Sequence, residues 1–308
     1  MTLAELGAQL RAAGLTARAL DAWATTRLAA LPVWLAARPE RTIAPAAALL
    51  ELLVAGAELP RARLRGPIDA LIAHGLARDD GDRVRAELAI LPHGAGFLVC
   101  DRLDAPVARD RVSWPDDSSY HLAAAIPPGR RPRWLDLACG SAFAPLARPQ
   151  LADARAAADV NPRAVRAAEL GAELSGVALT AGVADIAAPQ AAADLVTCNA
   201  PIPDDAPTSP ELWRRAEPGF FDRLWPALAA ACRPGGLIVV HATLAALRAG
   251  LADAAGERAI VRYTPDHLPG FGVAWWRPDG PARLVEAARA LTADRPHLGP
   301  EDRDAALC

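Results

Sequence analysis

The chain has 308 residues, 52% of them hydrophobic and 22% charged, with a formal net charge of −3. That length suits two domains, each able to bury a core, and that composition reads as a soluble globular protein. All 33 basic residues are arginine and 36 acids balance them, so the cationic excess usual in duplex binders is missing. The five cysteines, Cys100, Cys139, Cys198, Cys232 and Cys308, form no CxxC pair and have no histidine at zinc-finger spacing, which argues against a disulfide framework or a structural zinc.

The amino terminus shows helical periodicity through Leu3, Leu6, Leu10 and Leu15 instead of a basic start and an apolar h-region, so a cytoplasmic location is expected. Residues 2–31 read as two amphipathic pieces, with Gly14 and Thr16 as break and cap. The apolar runs at 28–37 and 49–57 fall short of the ~20 residues of a membrane span. After a Pro-containing connector at 39–45 come a helix at 46–55 and a second one opened by Pro67, a residue suited to a first helical turn. Strand-like runs at 84–91 and 97–101 follow. Short helices and a hairpin predict a helical, winged-helix-like N-terminal domain over residues 1–112. Such a domain could set Arg61, Arg63 and Arg65 on phosphates. Glu51, Glu58, Asp69, Asp79, Asp80 and Asp82 among those arginines disfavour it; a lid over the substrate, a dimerisation surface or a scaffold are the alternatives.

From residue 113 to 308 the order becomes regular. Strands are expected at 134–137, 154–159, 177–181, 195–199, 237–242, 259–263 and 272–276, with helices near 143 and at 162–174, 220–232 and 244–255. This alternation predicts an α/β domain with a doubly wound, mostly parallel sheet of seven strands. Such sheets bind ligands beyond the carboxyl ends of their strands, where the strand order reverses. Asp136 and Gly140, Asp159, Asp185 and Asn199 each follow a strand candidate, so one crevice could collect them all. A strand, a tight turn, and an acid about 20 residues on is a pattern that holds nucleosides, NAD among them.

The motifs WLDLACGSAF, ADVNPRAVRAA and DLVTCNAP make the pattern more specific: the stretch from about 114 to 277 resembles a class I S-adenosylmethionine-dependent methyltransferase. The resemblance implies a Rossmann-like sheet, S-adenosyl-L-methionine as cofactor and methyl transfer as the activity. In that family the turn after the first strand meets the methionine end, the acid after the second holds the ribose and the acid after the third faces the adenine. It thereby assigns cofactor contacts to Asp136, Ala138, Cys139, Gly140, Asp159, Val160, Asn161, Asp185, Ile186 and Asn199. Tyr120, beside Ser119 and His121, falls where relatives close over the cofactor. The family's GxGxG keeps only its central glycine here, with Ala138 and Ala142 in the flanking places.

DLVTCNAPIP is similar to the NPPY-type motif of amide and amino N-methyltransferases, such as the release-factor glutamine and ribosomal RNA guanine enzymes. The likeness implies that the Asn199 side-chain oxygen and the Ala200 carbonyl accept hydrogen bonds from the substrate NH2, with Pro201 completing the turn. Ile202 stands where the family places an aromatic that stacks on a planar acceptor. The acceptor class therefore stays open between protein, RNA and a small molecule. One alternative is a small-molecule tailoring enzyme that methylates oxygen or nitrogen or makes an unusual alkyl transfer. Another is a cofactor-sensing winged-helix protein that binds nucleic acid. His241, Asp204, Asp205, Trp213, Phe220, Phe221, His267 and Phe271 are further residues near the crevice.

Overall fold

The computed structural model describes residues 1–24, 31–37, 47–188, 190–202, 210–263, 270–292 and 294–308. Helix α1 (Leu3–Ala12) starts at a Thr2–Glu5 capping box, which satisfies two backbone donors reciprocally, and it buries Leu3, Leu6 and Leu10. Thr16 caps α2 (Ala17–Trp23), as its position after Gly14 predicts. Helices α3 (Leu31–Ala37) and α4 (Ala48–Leu53) follow; the connector expected at 39–45 lies outside the described residues. Then come β1 (Leu59–Pro60), α5 (Ile68–Ala73), β2 (Ala77–Asp79) and β3 (Arg83–Ala86), the strands pairing antiparallel in the order β1-β3-β2. A separate antiparallel hairpin joins β4 (Ala89–His93) to β5 (Gly96–Cys100). The single run expected at 84–91 is thus two strands, broken by a bend at Glu87 and Leu88.

Several arginines of this region are held by its own acids. Arg61 pairs with Asp69 and Asp79, Arg83 with Glu58, and Arg85 with Asp104.

The second half contributes α6 (Asp117–Ala125), β6 (Arg131–Leu137), α7 (Phe143–Ala147), β7 (Ala152–Asp159), α8 (Pro162–Ser175) and β8 (Thr180–Val183). It continues with β9 (Ala193–Asn199), α9 (Phe220–Ala231), β10 (Cys232–Thr243), α10 (Leu244–Leu251), β11 (Glu257–Arg262), β12 (Phe271–Arg277), β13 (Arg283–Ala288) and α11 (Pro300–Leu307). One eight-stranded sheet runs in the order β13-β11-β12-β10-β9-β6-β7-β8. Only β12 is antiparallel to its neighbours. This is the doubly wound, Rossmann-like α/β sheet with one strand more than the seven expected. The extra strand, β13, is a half-exposed edge, where little apolar alternation is required of the sequence.

The chain walks outward from β6 through β7 to β8 and returns on the other side of β6 as β9, so the strand order reverses between β6 and β9. There the carboxyl ends of the two strands open a crevice. Alternate residues of each strand serve opposite faces. Leu135, Val196, Ile238 and Trp276 pack with Leu224 and Leu228 of α9 and Leu247 of α10. Trp134, Leu195, Val239 and Trp275 face the other way, in a cluster that continues through Leu170 and Leu174 of α8 to Phe97, Leu53 and Leu6.

Residues 1–112 and 113–308, expected as separate domains, thus share one continuous apolar cluster. Gly7 of α1 lies so close to α8 that an added Cβ would stand 1.8 Å from the Leu174 carbonyl oxygen. Ser175 Oγ accepts from the Phe97 amide at 2.8 Å. The joining segment is pinned as well: Val112 N–H donates to Asp101 Oδ2, Trp114 Nε1 donates to the Asp101 carbonyl (both 2.7 Å), and Arg163 of α8 pairs with Asp101. Among the described residues, no helix is long and apolar enough to cross a membrane.

Candidate active site

A cavity of about 570 Å³ occupies the crevice, between the carboxyl ends of β6, β7 and β9 and the segment 111–119 that crosses in front of them. That volume is in the range of one ligand-sized site. The turn after β6 forms its floor. Ala138, Gly140 and Ala142 have φ of 50°, 53° and 55°, so left-handed residues alternate through the turn. Glycine reaches that region freely, whereas alanine pays a steric penalty of about 1–2 kcal/mol. The two alanines thus hold a glycine-type conformation under strain. Hydrogen bonds brace it: Cys139 N–H donates to the Ala158 carbonyl at 3.1 Å and Ala142 N–H to the Cys139 carbonyl at 2.7 Å.

Asp159, half-buried at the end of β7, accepts from the Gly140 amide at 2.8 Å and the Asn161 amide at 2.9 Å. Burial raises its carboxyl pKa and outweighs those backbone donors, which lower it. Asn161 lines the cavity, but its side chain is committed elsewhere: Oδ1 caps α8 at Arg163 N–H and Nδ2 donates to the Asp110 carbonyl. Val160, by contrast, is half exposed on the cavity wall.

Asp136 is only 3% exposed. Its partner is Thr197, opposite it on β9, whose hydroxyl donates to Asp136 Oδ1 at 2.5 Å. The fully buried Trp134 donates in turn to Thr197 Oγ1 at 2.8 Å. Burial pushes the Asp136 carboxyl up to about 7, the Thr197 bond opposes the shift and the nearby Asp159 adds to it. Asp185 is exposed and pairs with Arg223 of α9, and Ile186 beside it is buried. Ala138, Cys139, Gly140, Asp185 and Ile186 all line the cavity.

The remaining wall belongs to the end of β9. Asn199 Nδ2 donates to Ser118 Oγ at 2.8 Å, and Ala200 N–H donates to the His241 carbonyl at 3.0 Å. Asn199, Ala200, Pro201 and Ile202 all face the cavity. Phe220, Tyr263 and Phe271 complete this end with aromatic surface, whereas Phe221 packs edge-on against Phe220 outside it.

One expected residue stands differently. Tyr120 does not line the cavity: its ring is turned towards His93, Phe143 and His297, because α6 presents Ser118, Ser119 and Leu122 to the crevice. His241 lines the cavity. It is buried, Nε2 is 2.7 Å from the Tyr263 hydroxyl, and burial drives its pKa down to about 3. His121, stacked on Tyr263 at 3.7 Å between ring centres and accepting from Leu298 N–H, is likewise pushed to about 3, by burial and by the neighbouring histidines. Asp204, Asp205 and His267 lie outside the described residues, as does the side chain of Trp213.

Sequence reasoning passed over Trp134, Thr197, Ser118, Arg223 and the segment 111–115. Thr197 carried one signal, a polar residue alternating with apolar ones on the face that also bears Asn199. The DDSS run held a helix cap at Asp116.

No protein-family model matches the chain, and no curated protein matches it. Solved structures with a similar chain course include the ribosomal protein L11 methylase of Lactobacillus delbrueckii subsp. bulgaricus, at 17% identity and a TM-score of 0.39 over 52% of this chain and 76% of that one. The Thermus thermophilus 16S rRNA N2 G1207 methyltransferase, in complex with AdoMet and guanosine, gives 20% and 0.42 over 64% and 47%. A predicted O-methyltransferase from Agrobacterium tumefaciens gives 16% and 0.44 over 62% and 95%.

Proposed function

We propose that the chain is an S-adenosylmethionine-dependent methyltransferase acting on a nitrogen acceptor. The observation that carries the reading is the gathering of Asp136, Gly140, Asp159, Asp185 and Asn199 around one cavity at the strand-order reversal. The residues present suit such a cofactor. The buried Asp136, the half-buried Asp159 and a left-handed turn stand at one end, where Asp159 would hold a ribose, and Val160 and Ile186 would flank a purine with apolar surface. When bound, S-adenosylmethionine supplies a methyl group on a sulfonium, a leaving group that spares the site a strong base.

The chain's own residues then have two tasks. Asp136 and Asp159 provide hydrogen-bond acceptors in a partly desolvated setting, where each interaction is stronger than in water. Asn199, with the Ala200 carbonyl, accepts from an acceptor NH2 and aims its lone pair, which is the positioning that a weakly nucleophilic nitrogen most needs. No histidine is required as base, consistent with the neutral, buried His241.

The acceptor is best read as uncharged and of modest size. Of the arginines lining the cavity, Arg223 pairs with Asp185 and Arg111 with Glu211. Phe220, Tyr263 and Phe271 offer the aromatic surface that Ile202 does not. Residues 1–112 serve in this reading as a scaffold on α8. The test is calorimetry on protein freed of endogenous ligand. S-adenosylhomocysteine should bind one to one, and Asn199→Ala should retain that binding while losing methyl transfer from labelled S-adenosylmethionine to metabolite, protein or RNA fractions. Absence of binding would refute the cofactor, and undiminished transfer would refute the role of Asn199.

A further inference from the structure

Asn199 can orient an NH2 group only if its own amide is oriented, since a flipped amide would present N–H donors to another donor. A three-membered chain beside the cavity decides this. The Asp116 carboxylate accepts from the amides of Ser118 at 3.0 Å and Ser119 at 3.3 Å as the cap of α6, and from the Ser118 hydroxyl. An ionised carboxylate has no proton to give and a serine hydroxyl has only one. Ser118 therefore spends its proton on Asp116 and can only accept from its other neighbour. That neighbour is Asn199, at 2.8 Å. The Asn199 NH2 is drawn to Ser118, leaving Oδ1, to which no described residue donates, to the cavity that Asn199 lines.

We infer that Ser118 and Asp116 are positioning residues that fix the Asn199 amide with its oxygen towards the acceptor, so that the site admits a nitrogen bearing N–H and rejects a group that can only accept. The inference rests on the reading of Asn199 given above, but the orientation itself is a property of the protein alone. Ser119 Oγ, at 3.5 Å from Asn199 Nδ2, is a weaker second acceptor on the same side. Because α6 also carries Leu122 and His121 into the core, the device is tied to the rigid face of the helix.

The experiment is solvent exchange of the Asn199 side-chain NH2 in 15N-labelled protein, its resonance pair assigned by its loss in Asn199→Ala, with and without S-adenosylhomocysteine. In the wild type the pair should be protected. In Ser118→Ala/Ser119→Ala it should exchange at least tenfold faster, and in Ser118→Thr, which keeps the hydroxyl, protection should return. Ser118→Ala alone serves if the double variant loses its near-UV circular dichroism. Equal exchange in wild type and alanine variants would overturn the relay, even if S-adenosylhomocysteine binds. Failure of S-adenosylhomocysteine to bind would overturn the cofactor reading and leave the relay to be judged on the free protein.

Discussion

At one end of the cavity the ligand-facing groups are set by the backbone: a turn with three left-handed residues, two amides on Asp159 and a carboxylate locked between strands through Thr197. At the other end they are side chains brought together from β9, α6, α9 and β12, and what holds Asn199 is a hydroxyl from helix α6. A backbone-built end tolerates changes of side chain as long as its conformation survives. A side-chain-built end changes its chemistry with each substitution. The contrast suits a constant cofactor at the first end and a particular acceptor at the second.

The largest effect expected tests that division. Asn199→Ala should lower methyl transfer by at least about 100-fold, the scale of losing a positioning group, while the affinity for S-adenosylhomocysteine stays within about twofold. Parallel loss of both would mean that the two ends are not separable. Gly7→Leu comes next, because it drives a side chain into the Leu174 carbonyl and parts α1 from α8. Overpacking of this kind costs about 3 kcal/mol, read as a lowered urea midpoint. A negligible shift would show that the N-terminal half is only loosely attached.

The pH dependence isolates the first end. Asp136 has a folded pKa of about 7, raised by burial, against an unfolded value of about 3.9. Between those values the native state holds a proton that the unfolded chain has released, so this group's contribution to stability falls as pH rises from about 4 to 7. Ligand binding should run the other way. The ligand's α-ammonium group prefers the ionised carboxylate, so the Kd of S-adenosylhomocysteine should rise as pH falls below 7, by up to about tenfold per unit. Asp136→Asn should flatten that profile; an unchanged slope would assign it to another group. The smallest effect belongs to the turn. Replacing Ala142 by Gly relieves a left-handed alanine but loosens the unfolded chain, for a net gain of about 0.5 kcal/mol. Loss of stability there would contradict the strained conformation.

Much of this was legible because backbone requirements write themselves into sequence. Pro162 after Asn161 and the Gly176 stop mark α8, and the apolar runs ending in Asp136, Asp159 and Asn199 mark strands whose ends gather around the cavity. Three things were not legible. Strand β13 is an edge and needs no apolar code. Tyr120 was placed by analogy, although the rotation of α6, set by burial of His121 and Leu122, points Ser118 inward instead. The relay from Asp116 to Asn199 joins residues some 80 positions apart, and no local pattern announces such a pairing. The fold follows from periodicity, whereas the acceptor end depends on side-chain directions that only three dimensions supply.

The most direct test of the account is a set of three S-adenosylhomocysteine titrations by calorimetry, on the wild type, Asp159→Ala and Asn199→Ala, each freed of endogenous ligand. The account predicts one-to-one binding by the wild type and Asn199→Ala, and a loss of at least about tenfold in Asp159→Ala, the value of a single charge-assisted hydrogen bond. No binding by the wild type, or binding indifferent to Asp159, would contradict it.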